Sequence, residues 1–126
     1  MAIALTLFLA LVTATSAGAW SVTLAWDAPT KNADGTPLTD LQGYRVYMHT
    51  APIPDNKGNA TLIAEVPAGQ DMMVVDTGAP AGVYYWRVSA IDTSGNESAL
   101  SNEESRDLSD LMPPEPVRVR IEGVTR

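Results

Sequence analysis

Three stretches of this chain alternate apolar and other residues with a period of two. In "SVTLAW" Val22, Leu24 and Trp26 fall on one side, in "GYRVYM" Tyr44, Val46 and Met48 do, and in "VYYWRVSA" Tyr84, Trp86, Val88 and Ala90 do. That is the period of a strand with one face in a core and the other in water. The three strands therefore offer a common apolar face, with Trp26, Tyr44, Val46, Tyr84, Trp86 and Val88 as the expected structural core. Turn-rich clusters separate them: "DAPTKNADGTP", "APIPDNKGN", "VPAGQD", "TGAPAG" and "DTSGNES". "ATLIAEV" and "MMVVD" read as two further short strands, and "SALSNEES" as a last, more polar one. With no sustained helical period and no internal repeat, the pattern predicts an all-β antiparallel sandwich or barrel.

A chain of 126 residues holds one such domain. Residues 1–19, "MAIALTLFLALVTATSAGA", join an apolar run from Ala2 to Val12 to the small-residue triplet Ala17-Gly18-Ala19, the pattern of a secretory signal cleaved before Trp20. The chain is therefore expected in the periplasm or outside the cell. A membrane attachment would require the signal to stay uncleaved; a spanning helix needs about 20 apolar residues, and this run is broken at Thr13, Thr15 and Ser16. The domain proper is read as residues 20–110, followed by a proline-led tail at 111–126. A net charge of −7 argues against nucleic acid as a partner. Cysteine is absent, so stability must come from packing without disulfides, which fits export by a bacterium or its virus better than a vertebrate ectodomain.

No residues are assigned to catalysis, cofactor binding or metal. His49 is the only histidine, and it alternates away from the apolar face of its strand. There is no cysteine nucleophile, no G-x-S-x-G, no glycine-rich phosphate loop and no pair of histidines for zinc. Asp34, Asp40, Asp92 and Glu97 stand in turn-like segments and read as turn formers and solubilising charges. Asp92, Ser94, Asn96 and Glu97 could offer oxygens to calcium, but without the spacing of a calcium loop an ordinary turn is the better reading. Tyr47, Tyr85 and Arg87 fall on the outward side of their strands. They form either a patch that binds a protein or a sugar or a set of cross-strand pairs.

These segments resemble the fibronectin type III family. "VTLAWDAP" resembles its strand B, with Trp26 in the core and Pro29 after the strand. "GYRVY" resembles strand C, and "APAGVYYWRVSAIDTSGNES" resembles the approach to strand F, strand F itself and the loop to strand G. The resemblance runs from Val22 to Leu108 and implies an immunoglobulin-like antiparallel β-sandwich. It also implies that Tyr84 is a corner tyrosine bonding nearby backbone, while Ala79 stands where the family usually has leucine. The family serves as spacer and recognition modules in extracellular proteins, bacterial secreted enzymes and bacteriophage virions. The resemblance thus implies a non-catalytic binding or assembly module at a cell or virion surface, its partner a protein or a glycan. Cell adhesion, polymerisation, or an accessory carbohydrate-binding role in a hydrolase system would each fit.

One family element is missing where it is expected. Strand A should lie beside strand B, yet only Trp20 and Ser21 separate the cleavage site from strand B. The family signature of strand A is a proline-led alternation, and it stands instead in "PPEPVRVRIE", with Val117, Val119 and Ile121 on one side of a candidate strand at 116–122. Strand A is therefore expected from the C-terminal segment. Three arrangements are open: the tail completes its own domain, it is donated to a second molecule, or it is a disordered end or the remnant of a following domain. The first requires the nine residues Leu108–Pro116 to run almost straight, since they extend about 30 Å at roughly 3.3 Å each.

Overall fold

The computed structural model describes the backbone of residues 6–14, 20–77, 82–108 and 116–123, and side chains within 21–75, 82–108 and 116–123. Seven strands form two antiparallel sheets. β1 (Thr6–Ala14), β2 (Trp20–Asp27) and β5 (Met72–Thr77) make one, in the order β1-β2-β5. β3 (Leu41–His49), β4 (Thr61–Pro67), β6 (Val83–Asp92) and β7 (Glu104–Asp107) make the other, in the order β4-β3-β6-β7. The architecture is an antiparallel sandwich, one of the two forms the alternation allows and the one the family resemblance implies.

The inward residues of both sheets meet in one core. Val22, Leu24 and Trp26 come from β2, Val75 from β5, Tyr44 and Val46 from β3, Val66 from β4, and Tyr84, Trp86, Val88 and Ala90 from β6; all are buried. Trp26 packs tilted on Tyr44 with ring centroids 5.1 Å apart, and Tyr84 stacks on Trp86 at 6.3 Å, aromatic contacts that add to burial. Gly43 lets β3 and β4 close up, because a Cβ there would stand 2.4 Å from the Val66 carbonyl oxygen.

The expectation for strand A is corrected. The edge beside β2 is held by Thr6–Ala14, part of the segment read as an export signal, in a ladder running from Thr6 opposite Asp27 to Ala14 opposite Trp20. Residues 116–123 carry no strand. Connection length explains the difference: five residues separate Ala14 from Trp20, an inexpensive closure for an antiparallel pair, whereas the tail would have to traverse the domain. Ala17-Gly18-Ala19 and Ala79 lie outside the described residues. Among the described residues no helix is long and apolar enough to cross a membrane.

The last strand is also shorter than expected. Of "SALSNEES", only Glu104 and Ser105 lie in β7. Ser98 and Ser101 continue the sheet by another device. Each donates its backbone N–H to a β6 carbonyl, of Ala90 and Val88 respectively, both at 2.8 Å. Each also accepts that same β6 residue's N–H on its Oγ, both at 2.9 Å. The serine hydroxyl takes the place of a strand carbonyl.

Candidate functional site

The register of β3 against β6 sets Arg45 opposite Ser89, Tyr47 opposite Arg87 and His49 opposite Tyr85, all on the side away from the core. β4 adds Glu65 beside Arg45. This outer face is covered by two segments: residues 52–60 fold back over it from the β3–β4 connection, and residues 97–103 from the connection after β6.

Glu97 is the centre of the covered region. Its Oε2 accepts from the Tyr47 hydroxyl at 2.6 Å and the Ser89 hydroxyl at 2.5 Å. Its Oε1 accepts from Lys57 Nζ, with Arg45 at 3.6 Å, and Arg45 also bonds Glu65 at 3.2 Å. Burial pushes the Glu97 carboxyl up, but the donors Lys57, Ser89 and Tyr47 together outweigh it and hold the group below its ordinary value. Lys57 is raised, first by its bond to Glu97, and Tyr47 is raised, first by burial. The Lys57 ammonium also stands 5.2 Å from the centre of the Tyr47 ring, within cation–π range. Lys57 has a φ of 72°, a left-handed conformation that costs a non-glycine residue about 1 kcal/mol or more.

Arg87 holds the second half. Its Nε donates to the Ser101 carbonyl at 2.7 Å and one terminal nitrogen to the Ile53 carbonyl at 2.8 Å. The other terminal nitrogen reaches the Leu100 carbonyl at 3.5 Å and Asp55 at 3.1 Å. The Ile53 N–H donates to Glu103 at 2.7 Å, so the guanidinium ties both covering segments to β6 and the Glu103 carboxylate ties the two segments to each other.

Tyr47, Tyr85 and Arg87 thus share a face, but their expected exposure is corrected. Tyr47 is 5% exposed and the Arg87 side chain 13%; Tyr85 is half-buried. The alternation identifies an outward side, and it carries no information on which loop folds over that side. Glu97, which its turn-like sequence marks as a solubilising charge, is instead 16% exposed and joins four side chains. A signal for it exists in the register, since Arg45, Tyr47, Ser89 and Arg87 form a block of polar outward positions on adjacent strands.

Asp92 and Asp34 serve turns. Asp92 accepts from the backbone of Ser94 and Asn96 and from the Asn96 side chain at 2.9–3.0 Å, and Asp34 accepts from Thr36. Both are held below their ordinary value, first by side-chain bonds from Asn96 and Thr36. Among the described residues no group of His, Cys, Asp and Glu could hold a metal ion. A shallow cleft of about 330 Å³ opens beside the cluster, lined by Gly43, Arg45, Glu65, Pro67 and Ile91.

Exposed apolar side chains include Leu62 on β4, opposite Tyr47, and Val83 at the start of β6. Met72 and Val74 point outward from β5, and the tail presents Val117, Val119 and Ile121 at 89, 90 and 81% exposure.

No family model matches the sequence. Over 95 residues the chain is 37% identical to Exoglucanase B of Cellulomonas fimi, a match that covers 75% of this chain and 7% of that protein. It superposes with a TM-score of 0.62 at 20% identity on a fibronectin type III domain from a human protein, covering 98% of this chain and 85% of the other. For the sixth fibronectin type III domain of human fibronectin type III domain containing protein 3 the TM-score is 0.55 at 22% identity, covering 85% and 87%. A pectate lyase from Erwinia chrysanthemi matches with a TM-score of 0.56 at 18% identity, over 81% of this chain and 27% of the enzyme. Sandwich topology, aromatic core and these superpositions agree: the chain has the fibronectin type III fold.

Proposed function

We propose that this chain is a non-catalytic assembly module of the cell or virion exterior and that its C-terminal segment is the contact. The observation that carries the reading is the tail: three apolar side chains, Val117, Val119 and Ile121, alternate with Arg118 and Arg120 and stand almost fully in water. An exposed alternating segment is suited to adding a strand to a sheet edge.

The test is to export the full chain with its own leader from a bacterial host and follow its mass by light scattering over a concentration series. The variant V117D/V119D/I121D runs beside it. The parent is expected to gain mass with concentration and the variant to remain a monomer; equal masses would refute the reading.

A second reading has its own support, the 37% identity to a segment of Exoglucanase B. The module would then serve a polysaccharide-degrading system. Retention of the protein on insoluble glucan or pectate is the expected outcome, and full recovery in the supernatant would dismiss it.

A further inference from the structure

β1 has two characters. Its residues belong to an apolar run that reads as an export leader, and its backbone is the edge of the β1-β2-β5 sheet. The two cannot coexist after a cut before Trp20. The other side of β2 is taken by β5 from Trp20 to Ala25, so loss of β1 opens one side only. About half the backbone donors and acceptors of the eight-residue β2 would lose their partners, beside the core residues Val22 and Leu24.

Pro116–Gly123 fits that opening. It is eight residues long, as β2 is. With Val119 set opposite Leu24 in an antiparallel ladder, Val117 stands opposite Trp26 and Ile121 opposite Val22, on the core side. Arg118 and Arg120 then stand opposite Ala25 and Thr23, on the solvent side. Pro116, which cannot donate, falls at the strand's end, where it is tolerated.

Reach selects a second copy over the chain's own tail. Leu108 donates its N–H to Gly82 beside the start of β6, the end of the sandwich where β1 finishes rather than starts. To run as β1 does, the tail must first cover the roughly 26 Å length of β2, which leaves a connection of about 30 Å no slack. A neighbouring molecule has no such limit. Charge also favours a self-partner: three of the eight basic residues and one of the fifteen acidic ones fall in Pro116–Arg126, a basic tail on an acidic domain.

We propose that Thr6–Ala14 is a removable block: its release uncovers the outer edge of β2, and Pro116–Gly123 of a second copy pairs there. Such a contact is head-to-tail and open-ended. The proposal rests on the tail being an assembly contact, and it adds where that contact lands and what withholds it.

The test uses the full chain, kept in the cytoplasm of the host, with a site-specific protease sequence inserted between Ala19 and Trp20. Mass is measured before and after cutting, with tryptophan emission as the check that the fold persists. The chain has no cysteine, so Thr23→Cys and Arg120→Cys chains, mixed, report their own pairing. The uncut protein is expected to be monomeric. The cut protein, mixed and then oxidised with diamide, is expected to gain at least twofold in mass and to form the mixed disulfide, and to do neither when a peptide of residues 6–14 is added in excess before the oxidant. Equal mass before and after cutting overturns the proposal, as does aggregation that the cut V117D/V119D/I121D variant shares. A mass gain with disulfides to Val74→Cys instead of Thr23→Cys overturns the acceptor and leaves the assembly reading standing. If neither cut nor exported chain gains mass, both fall.

Discussion

The Tyr47 hydroxyl donates to Glu97 Oε2 at 2.6 Å across fifty residues of sequence, tying the centre of β3 to the segment that leaves β6. Ser89 and Lys57 complete the carboxylate's shell. Substituting Glu97 by Ala strands these donors in a half-closed site. A loss of about 2–3 kcal/mol is expected, seen as a fall in Tm of roughly 10–15 °C. Tyr47→Phe, which leaves the other donors in place, should cost about 1 kcal/mol. Equal stability of parent and Glu97→Ala in urea unfolding would show that the cluster does not support the fold.

The same group makes stability depend on acid. Glu97 is held below its ordinary value of 4.5 in the folded state. Its contribution is therefore complete above that value and is lost as the pH falls through the lower, folded pKa. Asp92 and Asp34 are shifted in the same direction from an ordinary value of 3.8 and add to the loss at lower pH. Urea midpoints at pH 7, 5 and 3 are expected to hold between the first two and drop at the third. Glu97→Gln should start lower and drop less, because it has no proton to take up. Lys57, raised above 10.5 chiefly by its bond to Glu97, contributes stability below that value which fades as the pH rises through its folded pKa. Parallel curves for parent and Glu97→Gln would remove Glu97 from the account.

How much of this was legible depends on the range of the interaction. Trp26, Tyr44, Val46, Tyr84, Trp86 and Val88 were readable as core because a period of two is a local property, and burial follows from it once any second sheet exists. Glu97 was not readable, because its role depends on the β3–β6 register and on where residues 52–60 fold. Tyr47 and Arg87 were correctly sided but not correctly exposed, for the same reason. The occupant of the β2 edge was hidden by composition: Thr6–Ala14 is nearly continuous in apolar residues, so it shows no strand period and reads as a leader. Only proximity in the chain gives it the advantage over the alternating tail.

Arg87 offers a test of the covering segments. Its guanidinium donates to the carbonyls of Ile53, Leu100 and Ser101 at once, which a lysine's single ammonium on a flexible stem cannot reproduce. Arg87→Lys should therefore keep the charge and release the loop 52–60. Limited proteolysis is expected to nick the variant near Pro54–Gly58 severalfold faster than the parent, with only a small change in Tm. Identical digestion patterns would mean that Glu103, through the Ile53 N–H, holds the loop without it.

Ser98 and Ser101 can be tested as replacements for strand carbonyls. Each hydroxyl is the acceptor for a β6 N–H, of Ala90 and Val88, in a buried stretch of backbone, and each donates to the next residue's carbonyl at 2.8 Å. Alanine at either position leaves a buried amide without its acceptor, at a cost of about 1–3 kcal/mol each. The two amides lie two residues apart on one strand, so the double variant should fall short of the sum, since the first loss already loosens the edge that the second would expose. Threonine keeps the hydroxyl and should recover most of the stability. Amide exchange at Val88 and Ala90 is the direct readout: each single alanine variant should accelerate its own amide first. Acceleration spread evenly over β6 would mean that the serines matter only as packing.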